Sequence, residues 1–306
     1  WNTNKPSPSE RPMDEAVRKY GKWIVAAIFG IIALYFSTQV FLLASLPTDP
    51  RRAPDLPPEV ETASFVVLPG DERVLESRQA LAKAAEKICD ARGCDFAVLL
   101  GSHILPKGMS RDDDPKMNEW VGSVYQSLDM PKYMILGDDD YGEAFDRRIG
   151  IREVRWATRV RGFEMPSSTY FFRSPNIGFW MFDTSEQCSG SGNMQTDWLT
   201  RSIASHPNVH TRIAFGHDGY HPTANTCLNP FFSDHVCGVF DLYLSVGTET
   251  AVRDECGTKW VDISPIMETD SAAGRQHPTG TFAWVNATKT DLSVVFFDKY
   301  GTLVQP

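Results

Sequence analysis

Residues 133–142 read YMILGDDDYG. Tyr133, Met134, Ile135 and Leu136 form a short apolar run that stops at Gly137, the pattern of a fully buried strand ending in a tight turn. Three carboxylates follow at once: Asp138, Asp139 and Asp140. In an α/β sheet, ligands gather outside the carboxyl ends of strands, so this is where metal-ligating residues belong. No histidine stands beside the acids, an unusual donor set for a transition metal.

The same pattern recurs along the chain. SFVVLPG (64–70), CDFAVLLG (94–101), GFWMFDT (178–184), TRIAFG (211–216) and FDLYLSVG (240–247) all read as strands. Residues 281–306 read as a closing hairpin. Between the early strands lie helical stretches. Val74, Leu75, Leu81, Ala84, Ala85 and Ile88 share one face, and Met117, Trp120, Val124 and Leu128 another. Arg111 to Asp114 caps the second helix. Helices alternating with strands first, and more β later, predict an α/β sandwich of mixed sheets flanked by helices. Five strand ends carry glycine followed by a polar residue: Gly70-Asp71, Gly101-Ser102, Gly137-Asp138, Gly216-His217 and Gly247-Thr248. At one sheet edge they would build one shared site.

Composition narrows the function. The chain has 306 residues, is 42% hydrophobic and carries a net charge of −9. That size gives one large domain with additions, and the acidic balance speaks against nucleic acid as a partner. Residues 189–193 are glycine-rich but lack the strand–helix context of a phosphate loop and read as a flexible loop. His103, His206, His210, His221, His235 and His277 show no metal-ligand spacing and read as surface or hydrogen-bonding residues. Asn286 opens a glycosylation sequon inside an apparent strand. No cofactor is expected.

Residues 23–46 form a 24-residue uncharged run beginning at Trp23. That is long enough, at about 1.5 Å per residue, to cross a bilayer core of about 30 Å. The expected organisation is a polar segment at 1–22, a transmembrane helix at 23–46, a proline-rich spacer at 47–62 and a globular domain at 63–306. Lys5, Arg11, Arg18, Lys19 and Lys22 precede the run and only Arg51 and Arg52 follow it closely. The charge bias puts the short end on the cytoplasmic or equivalent side and the domain across the membrane. With Trp1 in place of an initiating methionine, a removed import sequence is one explanation. The mitochondrial inner membrane, with the domain in the intermembrane space, is then the preferred setting; thylakoid and secretory membranes are alternatives. Six cysteines without a CxxC pair argue against structural zinc and leave disulfides or buried thiols both open.

The order of these motifs, from Ala63 to Gln305, resembles the calcineurin-like metallophosphoesterases, and within them the small, tartrate-resistant type of purple acid phosphatase. GCDFAVLLGSHILPKGM is similar to that family's second-strand segment and KYMILGDDDYG to its GNHD segment; WMFDT, QTDWL, IAFGHDGYHP and FDLYLSVGTET follow in order. The family binds two metals on loops written GDxG, GDxxY, GNH(D/E), GH and GHxH. Carried onto this chain, the resemblance leaves Asp71 in the first loop. It places Ser102 at the bridging aspartate and Leu105 at the tyrosine ligand. Asp138 takes the asparagine position and Asp139 that of the leaving-group histidine. His217 is kept, and Thr248 and Thr250, flanking Glu249, replace the last histidines. Two cations about 3.5–4 Å apart need a shared anionic bridge; serine is a poor one, and leucine offers no donor. The resemblance therefore implies a phosphatase-like domain that has lost its metals. Asp71, Asp138, Asp140, His217 and Glu249 are the candidates for holding a residual cation. It also implies a Cys188–Cys227 disulfide, while the pairing of Cys89, Cys94, Cys237 and Cys256 stays open. The expected role is an inactive accessory subunit of a large membrane complex, respiratory or ATP synthase, touching other subunits and the bilayer. The alternative is an active membrane-anchored phosphoesterase with an altered metal site.

Overall fold

The computed structural model describes residues 28–32, 51–70, 74–221, 227–265 and 280–306. The chain divides into two compact units, Trp1–Thr48 and Asp49–Pro306. In the first, 28–32 are helical, with Ile28, Phe29, Ile31 and Ile32 exposed. Among the described residues no helix is long and apolar enough to cross a membrane; the rest of the 23–46 run lies outside them.

The second unit holds two seven-stranded sheets. In chain order its strands are β1 (Arg51–Arg52), β2 (Ala63–Pro69), β3 (Phe96–Leu100), β4 (Lys132–Ile135), β5 (Phe163–Glu164), β6 (Tyr170–Arg173), β7 (Ile177–Met181), β8 (Thr211–Asp218), β9 (Leu242–Val246), β10 (Ala251–Glu255), β11 (Thr258–Ile263), β12 (Thr281–Ala287), β13 (Leu292–Asp298) and β14 (Leu303–Val304). One sheet runs β14-β13-β12-β2-β3-β4-β5 and the other β1-β6-β7-β8-β9-β11-β10. The centres are parallel, with β2, β3 and β4 in one sheet and β7, β8 and β9 in the other. Antiparallel strands flank them: β12 beside β2, β6 beside β7. Parallel strands covered on both faces must be apolar throughout. FAVLL of β3 and IGFWM of β7 are buried at every position.

The sheets meet through aromatic rings. Phe65 of β2 packs edge-on against Phe179 and Phe215 at 5.8 Å, and Tyr133 of β4 stacks on Phe172 at 3.7 Å. Three longer helices cover the outer faces: α1 (Leu75–Arg92), α2 (Arg147–Ala157) and α3 (Gly192–Ser205). α1 buries Leu81, Ala82, Ala85 and Cys89 and stops at Gly93, whose φ of 81° ends the helical path. On α3, Trp198 and Leu199 join Phe171 and Trp180 in a second apolar cluster.

Three expectations are corrected. The helix expected over 114–128 is only Pro115–Met117, capped by Asp114, followed by a wide turn at Asn118–Gly122. Asn118 turns its amide oxygen to the Trp156 indole (3.0 Å) and Gly122 lies under the same ring, so neither favours a regular α path. The glycine-rich stretch 189–193 is helical backbone running into α3, not a loop. The proline-rich spacer is in part built into the fold: β1 pairs with β6, Ala53 and Leu56 are buried, and their amides bond Phe171 and Arg173 carbonyls at 3.0 and 2.9 Å.

All six cysteines pair: Cys89–Cys94, Cys188–Cys227 and Cys237–Cys256. The 39-residue separation of Cys188–Cys227 closes the longest loop. Chain-entropy reasoning gives it about 3–4 kcal/mol and the five-residue Cys89–Cys94 loop about 2. Replacing Cys188 and Cys227 by serine should therefore move the urea midpoint more than replacing Cys89 and Cys94; the reverse ranking would refute the loop argument. Asn286 sits on β12 with its amide oxygen accepting from Ser64 (3.0 Å), a poor position for glycosylation.

Candidate functional site

The glycine turns after β2, β3 and β4 lie against one another, main chain to main chain. A Cβ at Gly70 would stand 1.5 Å from the Gly101 carbonyl oxygen, and one at Gly101 would stand 2.5 Å from the Gly137 nitrogen. A Cβ at Gly137 would meet the Ser102 nitrogen at 2.5 Å and His217 Nδ1 at 2.8 Å. No side chain fits in this clasp. It brings together four of the five turns seen in the sequence, those after β2, β3, β4 and within β8.

Of the three consecutive acids, only Asp140 points inward. Its Oδ2 accepts from the amides of Ser102 (2.7 Å) and Gly137 (2.8 Å), and its Oδ1 from His103 (2.7 Å) and Ile104 (3.4 Å). The carboxylate so ties the second and third turns together. It is fully buried, which opposes ionisation, yet bonds from His103 and the Gly137 amide hold it below the usual aspartate range. Ser102, held in place by this clamp, has a φ of 53°, a conformation rare for a residue with a side chain.

His217 reaches these turns from the other sheet. Its Nδ1–H donates to the Leu100 carbonyl (2.7 Å), which leaves Nε2 as the ring's lone pair, and the Ser102 hydroxyl donates to it at 3.2 Å. Both residues are buried. Asp138 is exposed and accepts from the Ser185 hydroxyl (2.6 Å). Thr250 bonds Thr281 through their hydroxyls (2.5 Å). Thr248 and Glu249 are exposed, and Leu105 and Asp139 are half-buried. Asp71 and the neighbouring Glu72 and Arg73 lie outside the described residues, as does His277.

Two buried charges near these turns are not evident from sequence. The first is Arg78 of α1, fully buried. Its guanidinium donates to the carbonyls of Gly70, His103 (2.8 Å) and Trp120 (3.3 Å) and lies 5.3 Å from the Trp120 ring. A fixed cation thus grips the first two turns. The second is a cluster of His103, Asp140 and Glu153, each without exposure. His103 Nδ1 touches the Glu153 carboxylate and lies 3.5 Å from Asp140 Oδ2. Burial lowers the His103 pKa, but Glu153 and Asp140 outweigh it and push it up to about 9. Burial, then the Asp140 charge, push Glu153 up to about 8. Both shifts hold protons on the cluster beside an Asp140 kept ionised. Its donor atoms all lie within 4.8 Å, the composition of a metal site. Asp140 commits both oxygens to main-chain amides, while the His103 nitrogens and Glu153 oxygens are buried with no other hydrogen-bond partner among the described residues.

Sequence offered one signal for this cluster. Glu153 falls on the face of α2 that also buries Gly150, Val154 and Ala157, a carboxylate where an apolar residue is expected. A further acid, Asp183, is buried beside Tyr141, whose hydroxyl bonds it; burial first, then the Glu186 charge, push it up to about 8.

No family profile matches the sequence, and a search of curated proteins finds no match. Solved structures do match. GAP50, described as the anchor in the inner membrane complex of Plasmodium, superposes with a TM-score of 0.60 at 14% identity, covering 80% of this chain and 87% of that one. A dimetal phosphatase from Danio rerio gives 0.51 at 13% identity, covering 76% and 95%. At such identities the likeness is one of fold, and that fold is the calcineurin-like metallophosphoesterase sandwich.

Proposed function

We propose that this metallophosphoesterase fold serves as an inactive, membrane-anchored accessory subunit of a membrane complex. The observation that carries the reading is the Ser102–His217 hydrogen bond. With Nδ1 donating to the Leu100 carbonyl, Nε2 is the His217 nitrogen left for a metal, and it faces the Ser102 hydroxyl, the residue that the resemblance puts where a two-metal site needs an anionic bridge. Asp138 bonded to Ser185 and Thr250 bonded to Thr281 support the same reading. The donors at these positions do not fit a pair of metal ions, and no step is derived through them. The Cys188–Cys227 bridge and the motif order support a kinship with the small purple acid phosphatases.

The likeness to GAP50, described as an anchor, supports the accessory role. Three disulfides support an oxidising compartment. The mitochondrial intermembrane space, with the anchor at 23–46 in the inner membrane, is the preferred setting, and thylakoid lumen and secretory lumen are the alternatives.

The test combines metal analysis, a phosphatase assay and a native gel. The purified full chain should retain no tightly held metal and release no phosphate from para-nitrophenyl phosphate across pH and added divalent cations. In mild detergent extracts it should migrate with a larger assembly. One or two retained ions per chain, with hydrolysis abolished by Asp71→Ala or His217→Ala, would establish the rival reading. That rival, an active phosphoesterase with an altered site, draws on the likeness to the dimetal phosphatase. Migration as a lone chain would remove the accessory role.

A further inference from the structure

The outer face of the second sheet carries a cavity of about 220 Å³ between β1, β6 and α3. Its floor is aromatic: Phe171, and Trp198 of the second apolar cluster. Arg52 and Arg201 stand at its rim, and Ser202, Ser205 and His206 form one wall. Among the described residues no carboxylate lines it, although the chain carries a net charge of −9.

The wall is held by internal bonds. His206 Nδ1 bonds the Ser202 carbonyl (2.8 Å), and its ring lies 4.4 Å from the Phe171 ring. Ser202 Oγ accepts from the Trp180 indole (3.0 Å), which leaves its own hydroxyl proton to donate. Ser205 donates to the Arg201 carbonyl (2.7 Å), fixing the last turn of α3. Arg52 lies over Phe171 and is paired with Asp55, but Asp55 also faces Arg173 at 3.6 Å, one carboxylate between two cations. Arg201 has no carboxylate partner among the described residues.

We infer that this cavity binds a phosphate ester bearing an apolar or aromatic substituent. The fork of Arg201, together with the Nη1 of Arg52 that the two-point pair with Asp55 leaves over, matches the several oxygens and double charge of a phosphate better than one carboxylate, which a single arginine satisfies. The aromatic floor takes the substituent, with the energy of apolar burial added to the charge. This inference is independent of the accessory role: it concerns another face of the fold and needs no metal.

The probe is phenyl phosphate, titrated calorimetrically into the full chain in nonionic detergent, with benzoate and phenol as comparators. Saturable binding of phenyl phosphate is expected, with benzoate weaker and phenol weaker still. Arg201→Ala should weaken it about tenfold or more, and Arg201→Lys less, because lysine keeps the charge and loses the fork. Both arginines are exposed, so the variants should fold, which the melting curve checks. Doping the micelles with phosphatidate separates the sources of the ester. A drop in apparent affinity for phenyl phosphate means that a lipid headgroup enters the site, and no change means a soluble ester; either upholds it. Absence of saturable binding, equal affinity for benzoate, or binding untouched in the Arg52→Ala, Arg201→Ala pair would overturn the inference.

Discussion

Asp140→Asn should leave the domain unfolded or barely folded. The amide matches the carboxylate in size, so the test removes charge and acceptor capacity without opening a cavity. One oxygen becomes an NH2 group aimed at main-chain N–H donors, so two of the amides now bonded by Asp140 lose their acceptor. An unsatisfied buried donor costs about 1–3 kcal/mol. The His103 imidazolium also loses one of its two acidic neighbours and is left with Glu153, which must ionise in Asp140's place; leaving a buried charge without its partner costs up to about 3–5 kcal/mol. Together these approach the whole stability of an ordinary domain, about 5–15 kcal/mol. Asp138→Asn, two residues away, removes only part of one bond to Ser185 and should cost about 1 kcal/mol or less. Urea unfolding of the two variants decides. If Asp140→Asn melts close to the parent, the clamp does not hold the turns.

The second large effect is a loss of stability as pH rises. His103 is pushed up to about 9 from an ordinary 6.5, and Glu153 up to about 8 from 4.5. Each binds its proton more tightly in the folded chain than in the unfolded one. The folded state then holds more protons across these windows, and stability declines with increasing pH. The His103 contribution is complete below pH 6.5 and lost by about pH 9. That of Glu153 is complete below 4.5 and lost by about 8, and Asp183, also pushed up to about 8, acts in the same sense. Asp140 runs the other way: its pKa is lowered from 3.8, so its contribution is present above that value and lost in acid. At about 1.4 kcal/mol per pKa unit, His103 alone accounts for about 3 kcal/mol between neutral and alkaline pH. Urea midpoints measured from pH 6 to 9 should fall steadily, and the decline should shrink in His103→Gln. A flat profile in the parent chain would mean the cluster is not charged as described.

The strands were legible because burial on both faces leaves a contiguous apolar run, and the glycine turns mark where each run stops. α2 was not. Arg147, Arg148, Arg152 and Arg155 hide its apolar face, and two of the residues on its buried side are a glycine and an acid. The packed part of the proline-rich spacer escaped notice because only Ala53 and Leu56 signal burial there. In the site, Asp138, Asp139 and Asp140 are chemically identical in sequence, and only tertiary contact separates an exposed acid from the clamp. His103 and Glu153 stand fifty positions apart with no local pattern joining them.

The glycine clasp has a consequence for tolerance to change. The close approach of these turns is specified by what is missing at Gly70, Gly101 and Gly137, and the side chains that lock it are few, Asp140 and Arg78. Exposed neighbours such as Asp138, Thr248 and Glu249 take no part in that lock and are open to substitution. A fold locked in this way asks little of the other residues in its turns.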